Sequence, residues 1–326
     1  MNRSKMLVIG ATTALAVAAV APVAAQDTMD PGAAAGKKLI VNMKGPGAGN
    51  PFWAAVEKGA LETAAAWGLD VSVMSPPAES DVQSQIAQIE DAIAQGVAGI
   101  ALAPTDPAAL APVVEEARAQ GVQVVFIDTM GSNEGVTFIG TDNMAGAALA
   151  AQYLCDALDD GEQVAILQGI ITQSTGQARA TGSHDGLAAC ALEIVSEIPA
   201  DWDTAKAQQA VEDILTAYPE LDGIFASNDN MALGAVEAVK QAGLLDAITI
   251  VGFDANPNAA DAVLTGELEA TIAQAPYNMG KFGVESLVKL INGEMLDPVV
   301  DTGTVLVDLA NAVDFDSNPD NDAEND

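Results

Sequence analysis

Asp128 and Asp254 each offer two acceptor oxygens, Asn50, Asn228 and Gln274 each carry an amide that donates and accepts, and Phe52, Trp53 and Trp202 supply rigid apolar planes. A sugar or polyol presents the complement: a rim of hydroxyls that donate and accept at once, and faces of C–H groups that stack on rings. Each aspartate can accept from two neighbouring hydroxyls, and hydrogen bonds to an ionised carboxylate contribute about 1.5 to 3 kcal/mol each. Taken singly, these residues have ordinary structural explanations. Asn50 before Pro51 has the form of a helix N-cap with proline at the first helical position. Asn228 or Asp229 can cap the helix that carries Met231, and Trp53 on a helix can belong to a core. What unites the set is its placement beyond the ends of strands.

That placement follows from the pattern of the chain. From Lys38 onward, short β-branched runs alternate with longer helical stretches, the signature of βαβ units and a parallel sheet. Strands are predicted at Leu39–Met43, Val71–Met74, Gly99–Ala103 and Val122–Ile127, with helices over Phe52–Trp67, Val82–Gln95 and Ala108–Gln120. Gly68, Gly96 and Gly121 follow those helices, where a left-handed residue is cheapest. After Thr137–Gly140 the alternation restarts, with strands near Val164–Gln168, Glu193–Glu197, Gly223–Ala226 and Ile248–Phe253. Two more pieces follow: Ala270–Gln274 with Tyr277–Ile291, then Thr304–Val307. In open parallel sheets, ligands bind beyond the C-terminal ends of the strands. Asn50, Phe52, Trp53, Asp128, Trp202, Asn228, Asp254 and Gln274 all fall in such places.

Catalytic chemistry is poorly supported. The sole histidine, His184, sits in a helical stretch, and no Cys–His or Ser–His constellation is readable. Gly45, Gly47 and Gly49 make a glycine-rich turn, which raises a nucleotide-using enzyme as an alternative. The dinucleotide fingerprint is nevertheless missed: Asn50 stands where the third glycine belongs, and Asp70 opens the second strand instead of ending it. Neither a cofactor nor a metal is expected. Asp314, Asp316 and Asn318 begin like a calcium loop, but Pro319 replaces its glycine and Asn325 its bidentate glutamate. Cys155 and Cys190 have no zinc-site spacing; two buried free thiols are preferred here over a disulfide.

With 326 residues the chain exceeds one hydrophobic core, so two domains are expected. Residues 1–25 read as an export signal: Arg3 and Lys5, an apolar run over Met6–Val20, and Val23-Ala24-Ala25 before Gln26. A membrane anchor is the competing reading, disfavoured by Pro22 and by the small residues at the cleavage point. Export would place the folded protein in the periplasm. The net charge of −34, more negative once Arg3 and Lys5 are removed, repels nucleic acid and anionic lipid and suits a strongly solvated exterior at high ionic strength. Residues 313–326 form an acidic stretch expected to be disordered.

Eight segments together carry a family likeness: Asn50-Pro51-Phe52-Trp53, Pro104-Thr105-Asp106, Thr141-Asp142-Asn143, Leu167-Gln168-Gly169, Ala200-Asp201-Trp202-Asp203, Ser227 through Gly234, Val251-Gly252-Phe253-Asp254 and Thr271-Ile272-Ala273-Gln274. In this order and spacing the chain resembles the ribose and galactose type of periplasmic sugar-binding proteins over nearly all of Leu39 to Val307. The resemblance implies an α/β protein of two doubly wound parallel-sheet domains joined by a multi-strand hinge, the type I periplasmic binding protein fold. One lobe would comprise 38–141 plus 275–300, the other 142–274 plus 301–312, with hinges near Asp142, Gln274 and Asp301. It also implies that Asn50, Phe52, Trp53, Asp128 and Thr129 hold the ligand from one lobe. Trp202, Asn228, Asp254 and Gln274 would complete the cage, with Phe253 beside it.

The implied role is that of a monomer, the solute-binding component of an ABC importer, which closes on a monosaccharide or polyol and presents it to a permease in the inner membrane. A chemoreceptor or a sensor kinase is the alternative partner. Effector-sensing repressors share this fold, but no helix-turn-helix precedes Lys38. Three departures from the ribose-binding pattern remove strong donors: Thr129 and Ser183 where arginines stand, and Ala103 in place of an asparagine. They count against ribose itself and leave a hexose, a polyol or another sugar-like ligand open. Arg179 is a candidate to compensate, next to a loop over Ile170–Gln177 whose length differs from the pattern.

Overall fold

The computed structural model describes residues 30–317, so the expected export signal and the end of the acidic stretch lie outside the described residues. The first sheet is built from β1 (Lys38–Asn42), β2 (Asp70–Met74), β3 (Gly99–Leu102), β4 (Gln123–Ile127) and β5 (Phe138–Gly140), alternating with α1 (Pro51–Trp67), α2 (Val82–Ala94) and α3 (Pro107–Ala119). In β1, Leu39 and Val41 face the core shared with α1, whereas Ile40 faces the core built with α2 and α3. A strand buried on both faces reads as a continuous apolar run, which is why KLIVN lacks polar alternation.

The chain then enters a second unit through α4 (Asn143–Ala157). There β6 (Gln163–Gln168), β7 (Glu193–Pro199), β8 (Leu221–Ala226), β9 (Thr249–Asp254) and β10 (Ala270–Ala273) alternate with α5 (Ser174–Ala188), α6 (Thr204–Ala217), α7 (Asp229–Ala242) and α8 (Pro257–Thr265). It returns to the first unit as α9 (Pro276–Ile291) and β11 (Val299–Asp301), and ends in the second as β12 (Val305–Asp308) and α10 (Ala312–Ser317). The strand orders match: β11-β5-β4-β3-β1-β2 in one sheet and β12-β10-β9-β8-β6-β7 in the other. All pairings are parallel except that of β10 with β12. This is the doubly wound, two-domain α/β architecture of the type I periplasmic binding protein fold.

The crossings between units fall after Gly140, after Ala273 and between β11 and β12. Asp301, expected to open the last segment of the second lobe, instead pairs with Gly140 in the first sheet. Two other expectations are corrected. Cys155 of α4 and Cys190, just beyond α5, form a disulfide rather than two free thiols, because the packing of α4 on α5 brings their Cα atoms to 6.0 Å. The stretch from Val313 is not irregular at its start: α10 reaches Ser317, and Phe315 packs on the core of the second lobe, an apolar anchor within an acidic sequence.

Candidate functional site

Helix caps deliver several of the polar groups. Asn50 Oδ1 accepts from Phe52 N and Asn228 Oδ1 from Met231 N, so each amide caps its helix with its oxygen and keeps its NH2 in reserve. Capping and ligand binding are therefore not mutually exclusive at these two residues. Both line a crevice between the lobes with Phe52, Trp53, Asp128, Trp202, Asp254 and Gln274. Thr129 and Phe253, expected at the site, lie behind its wall. Thr129 donates to Asp128 Oδ2 at 2.6 Å, and the Phe253 ring sits 3.7 Å beneath the Arg179 guanidinium.

Four further residues line the crevice. Lys44, Glu79 and Thr175 carried no sequence expectation, and Arg179 had been singled out only as a substitute donor. Lys44 follows β1 by two residues, the same kind of strand-end position that flagged the others. Its Nζ lies 3.0 Å from Asp128 Oδ2 and 3.7 Å from Glu79 Oε2, and it donates to Thr129 Oγ1 at 2.9 Å. Glu79 accepts from Trp53 Nε1 at 2.8 Å, which fixes that indole. Arg179 projects from α5, which begins at Ser174 and shortens the expected loop. Its Nε donates to Asn143 Oδ1, and its Nη1 to Ser227 O and to Asp254 Oδ1 at 3.4 Å. Trp202 packs so closely on the chain after β6 that a Cβ on Gly169 would lie 2.0 Å from its ring, which only glycine permits.

Backbone strain concentrates here. Among the described residues, the non-glycine positions with positive φ are Asp128 (57°), Asp201 (54°), Trp202 (65°), Asp254 (126°) and Ala255 (50°). Three of these line the crevice, and the other two adjoin them. Such conformations cost about 1 to 3 kcal/mol each and persist where surrounding structure imposes them, characteristically at binding sites.

Electrostatics are set by burial. Desolvation pushes the Asp254 carboxyl up to about 6, opposed by Arg179 and by the bond from Gln274 Nε2 at 2.6 Å. Glu79 is raised chiefly by the same cause, with Lys44 opposing. Behind the wall, Asp229 is raised by desolvation and by the charge of Asp254; in the lining, Arg179 is lowered by desolvation. Polar capacity remains unspent. Both bonds to Asp254 go to Oδ1, both to Asp128 go to Oδ2, and Gln274 Oε1 is buried without a partner. Free carboxylate oxygens, an amide oxygen and amide NH2 groups therefore belong to residues that line one crevice, and such groups suit a molecule that donates and accepts at neighbouring atoms.

Residues 40–295 match the model of the periplasmic binding protein domain. The chain is 32% identical to the ribose import binding protein RbsB of Escherichia coli over 295 residues, 90% of this chain and 95% of that protein. It superposes with a TM-score of 0.81 on a periplasmic solute-binding protein of an ABC transporter from Actinobacillus succinogenes with bound D-allose, at 30% identity, covering 85% of this chain and 99% of the other. The Caulobacter myo-inositol binding protein with myo-inositol gives 0.80 at 30% identity, covering 85% and 95%. Matched sheets, a crevice between them and likeness along nearly the whole length lead to one assignment: the chain belongs to the periplasmic binding protein domain family, in its sugar-binding branch.

Proposed function

We propose that this protein is the exported, periplasmic solute-binding component of an ABC importer and that it captures a single-ring sugar or a cyclitol between its lobes. The observation that carries this is the convergence of unspent carboxylate and amide atoms from both lobes on one crevice walled by two indoles. Asn50 and Asp128 hold the ligand from the first lobe and Trp202, Asn228 and Asp254 from the second, with Gln274 at the crossing. Phe52 and Trp53 supply the opposing apolar wall. Arg179 provides the guanidinium that the departures at Thr129 and Ser183 remove. A ligand gripped from both sides stabilises the closed arrangement, because only there are both sets of contacts made. The permease then reads the closed form. The named ligands of the relatives are a pentose, a hexose and a cyclitol, which supports a ligand of that size.

The role is binding, without turnover. Thermal-shift measurements with D-ribose, D-allose, D-fucose, D-arabinose, myo-inositol and NAD separate the alternatives: stabilisation by NAD alone would overturn the assignment. Asp128→Ala and Asp254→Ala are each expected to abolish calorimetric binding of the sugar that stabilises the native protein while retaining its circular dichroism. Unchanged titration curves would remove these residues from the cage.

A further inference from the structure

The two sheets have corresponding switch points: β1 lies between β2 and β3, and β6 between β7 and β8. Lys44 stands just beyond one and Gln173 just beyond the other, and their side chains meet across the lobes at 2.9 Å. Gln173 is fully buried and is the N-cap residue of α5, yet its side chain makes no cap bond. Its Oε1 accepts from Lys44 Nζ and from Trp202 Nε1, both at 2.9 Å. Its Nε2 donates to Glu79 O at 3.3 Å and to Thr105 O at 3.2 Å. Lys44, Glu79 and Thr105 belong to the first lobe, so these contacts exist only while the lobes are together. Lys44 adds a bond to Thr175 Oγ1 of the second lobe at 3.3 Å.

The Lys44 ammonium also stands between the aromatic walls, 5.8 Å from the Trp53 ring centre and 5.4 Å from that of Trp202. The room left in the crevice is about 30 Å³, enough for a water molecule or two. Pockets that take small organic ligands start at roughly 300 Å³. A sugar ring does not fit this arrangement.

We propose that Lys44 and Gln173 form a self-occluding latch: the empty lobes close on the protein's own ammonium, and ligand competes with it for the space between Trp53 and Trp202. Gln173 is a positioning residue that acts through Lys44 and Trp202. The inference rests on the two-lobe binding reading but not on the identity of the ligand. Its consequence is a lowered apparent affinity, by the fraction of molecules that are unlatched.

The test is small-angle X-ray scattering of the full chain, stripped of ligand by unfolding and refolding with its disulfide intact, for the native protein and for Gln173→Leu. The native radius of gyration is expected to match that of the closed lobes. Gln173→Leu is expected to shift to a larger radius, with stronger acrylamide quenching of tryptophan emission as Trp202 is uncovered. Gln173→Glu keeps the acceptor for Lys44 and Trp202 and is expected to return towards the native radius, a rescue that lost packing alone does not produce. Should Gln173→Leu fail to fold, Lys44→Met is expected to give the same expansion. Native scattering superimposable on that of the folded Leu or Met variant overturns the latch. No sugar is added, so failure of every sugar to bind would leave this result standing, and an unexpanded variant that still binds a sugar would remove the latch alone.

Discussion

At the scale of single residues, the site is a set of buried groups whose spare atoms face one space, and their removal has predictable signs. Truncating Trp202 to alanine removes a stacking plane, so affinity for the cognate sugar is expected to fall by about 1 to 3 kcal/mol. Ligand-induced change in tryptophan emission should be lost in the same titration. Asp254 gives a pH signature. Its folded value of about 6 lies above the ordinary 3.8, so the fold favours the neutral acid. That contribution to stability is complete below about pH 4 and is lost as pH rises through about 6. The melting temperature is therefore expected to drop more steeply between about pH 4 and 6 in the native protein than in Asp254→Asn; parallel slopes in the two proteins would refute it. Asn50, Asp128, Asn228 and Asp254 were legible in the sequence because strand ends and cap positions are marked by their neighbours. Lys44, Glu79 and Gln173 were not, because single polar residues in irregular segments carry no period. Lys44 alone had a usable signal, its place two residues past β1.

At the scale of elements, helix α5 was the hardest to read. Its sequence, STGQARATGSHDGLA, has almost no apolar stripe, and its buried face is made of Thr175, Gly176, Arg179, Gly182 and Ser183, with Leu187 as its one large apolar residue. Helix periodicity is a hydrophobic signal, so a helix that buries polar and small residues against a site and a neighbouring helix escapes it. The strands were legible for the opposite reason, since runs such as VVFI and IVGF are buried on both faces. The Cys155–Cys190 bond ties α4 to the chain leaving α5 and closes a loop of 35 residues. Loop entropy puts its contribution at about 4 kcal/mol, and engineered and native disulfides commonly give about 2 to 4. Replacing both cysteines by serine is expected to lower denaturant stability by that amount, with the sheet signal in circular dichroism retained; an unchanged midpoint would show that helix packing alone holds the pair.

At the scale of the whole molecule, charge and connectivity dominate. A chain with 46 acidic against 12 basic residues repels itself, and screening shortens from roughly 10 Å at 0.1 M salt to 3 Å at 1 M. Melting temperature is accordingly expected to climb as sodium chloride is raised over that range. A flat response would mean that the carboxylates are too dispersed to strain the fold. The division into two lobes was legible because the βα alternation restarts. The last crossing was misplaced by a residue because Asp301 gives no local sign of pairing with Gly140. The return of α9 to the first lobe has a consequence for how the molecule comes into being. Met279, Val284, Leu287 and Val288 complete the core under α1, and the backbone of Tyr277 presses against Gly59. A nascent chain that has not yet reached Ile291 lacks one side of its first hydrophobic centre, however long ago that half was translated. Such a polypeptide leaves that half without a closed core until synthesis is almost finished, so the residues made first are among the last to settle.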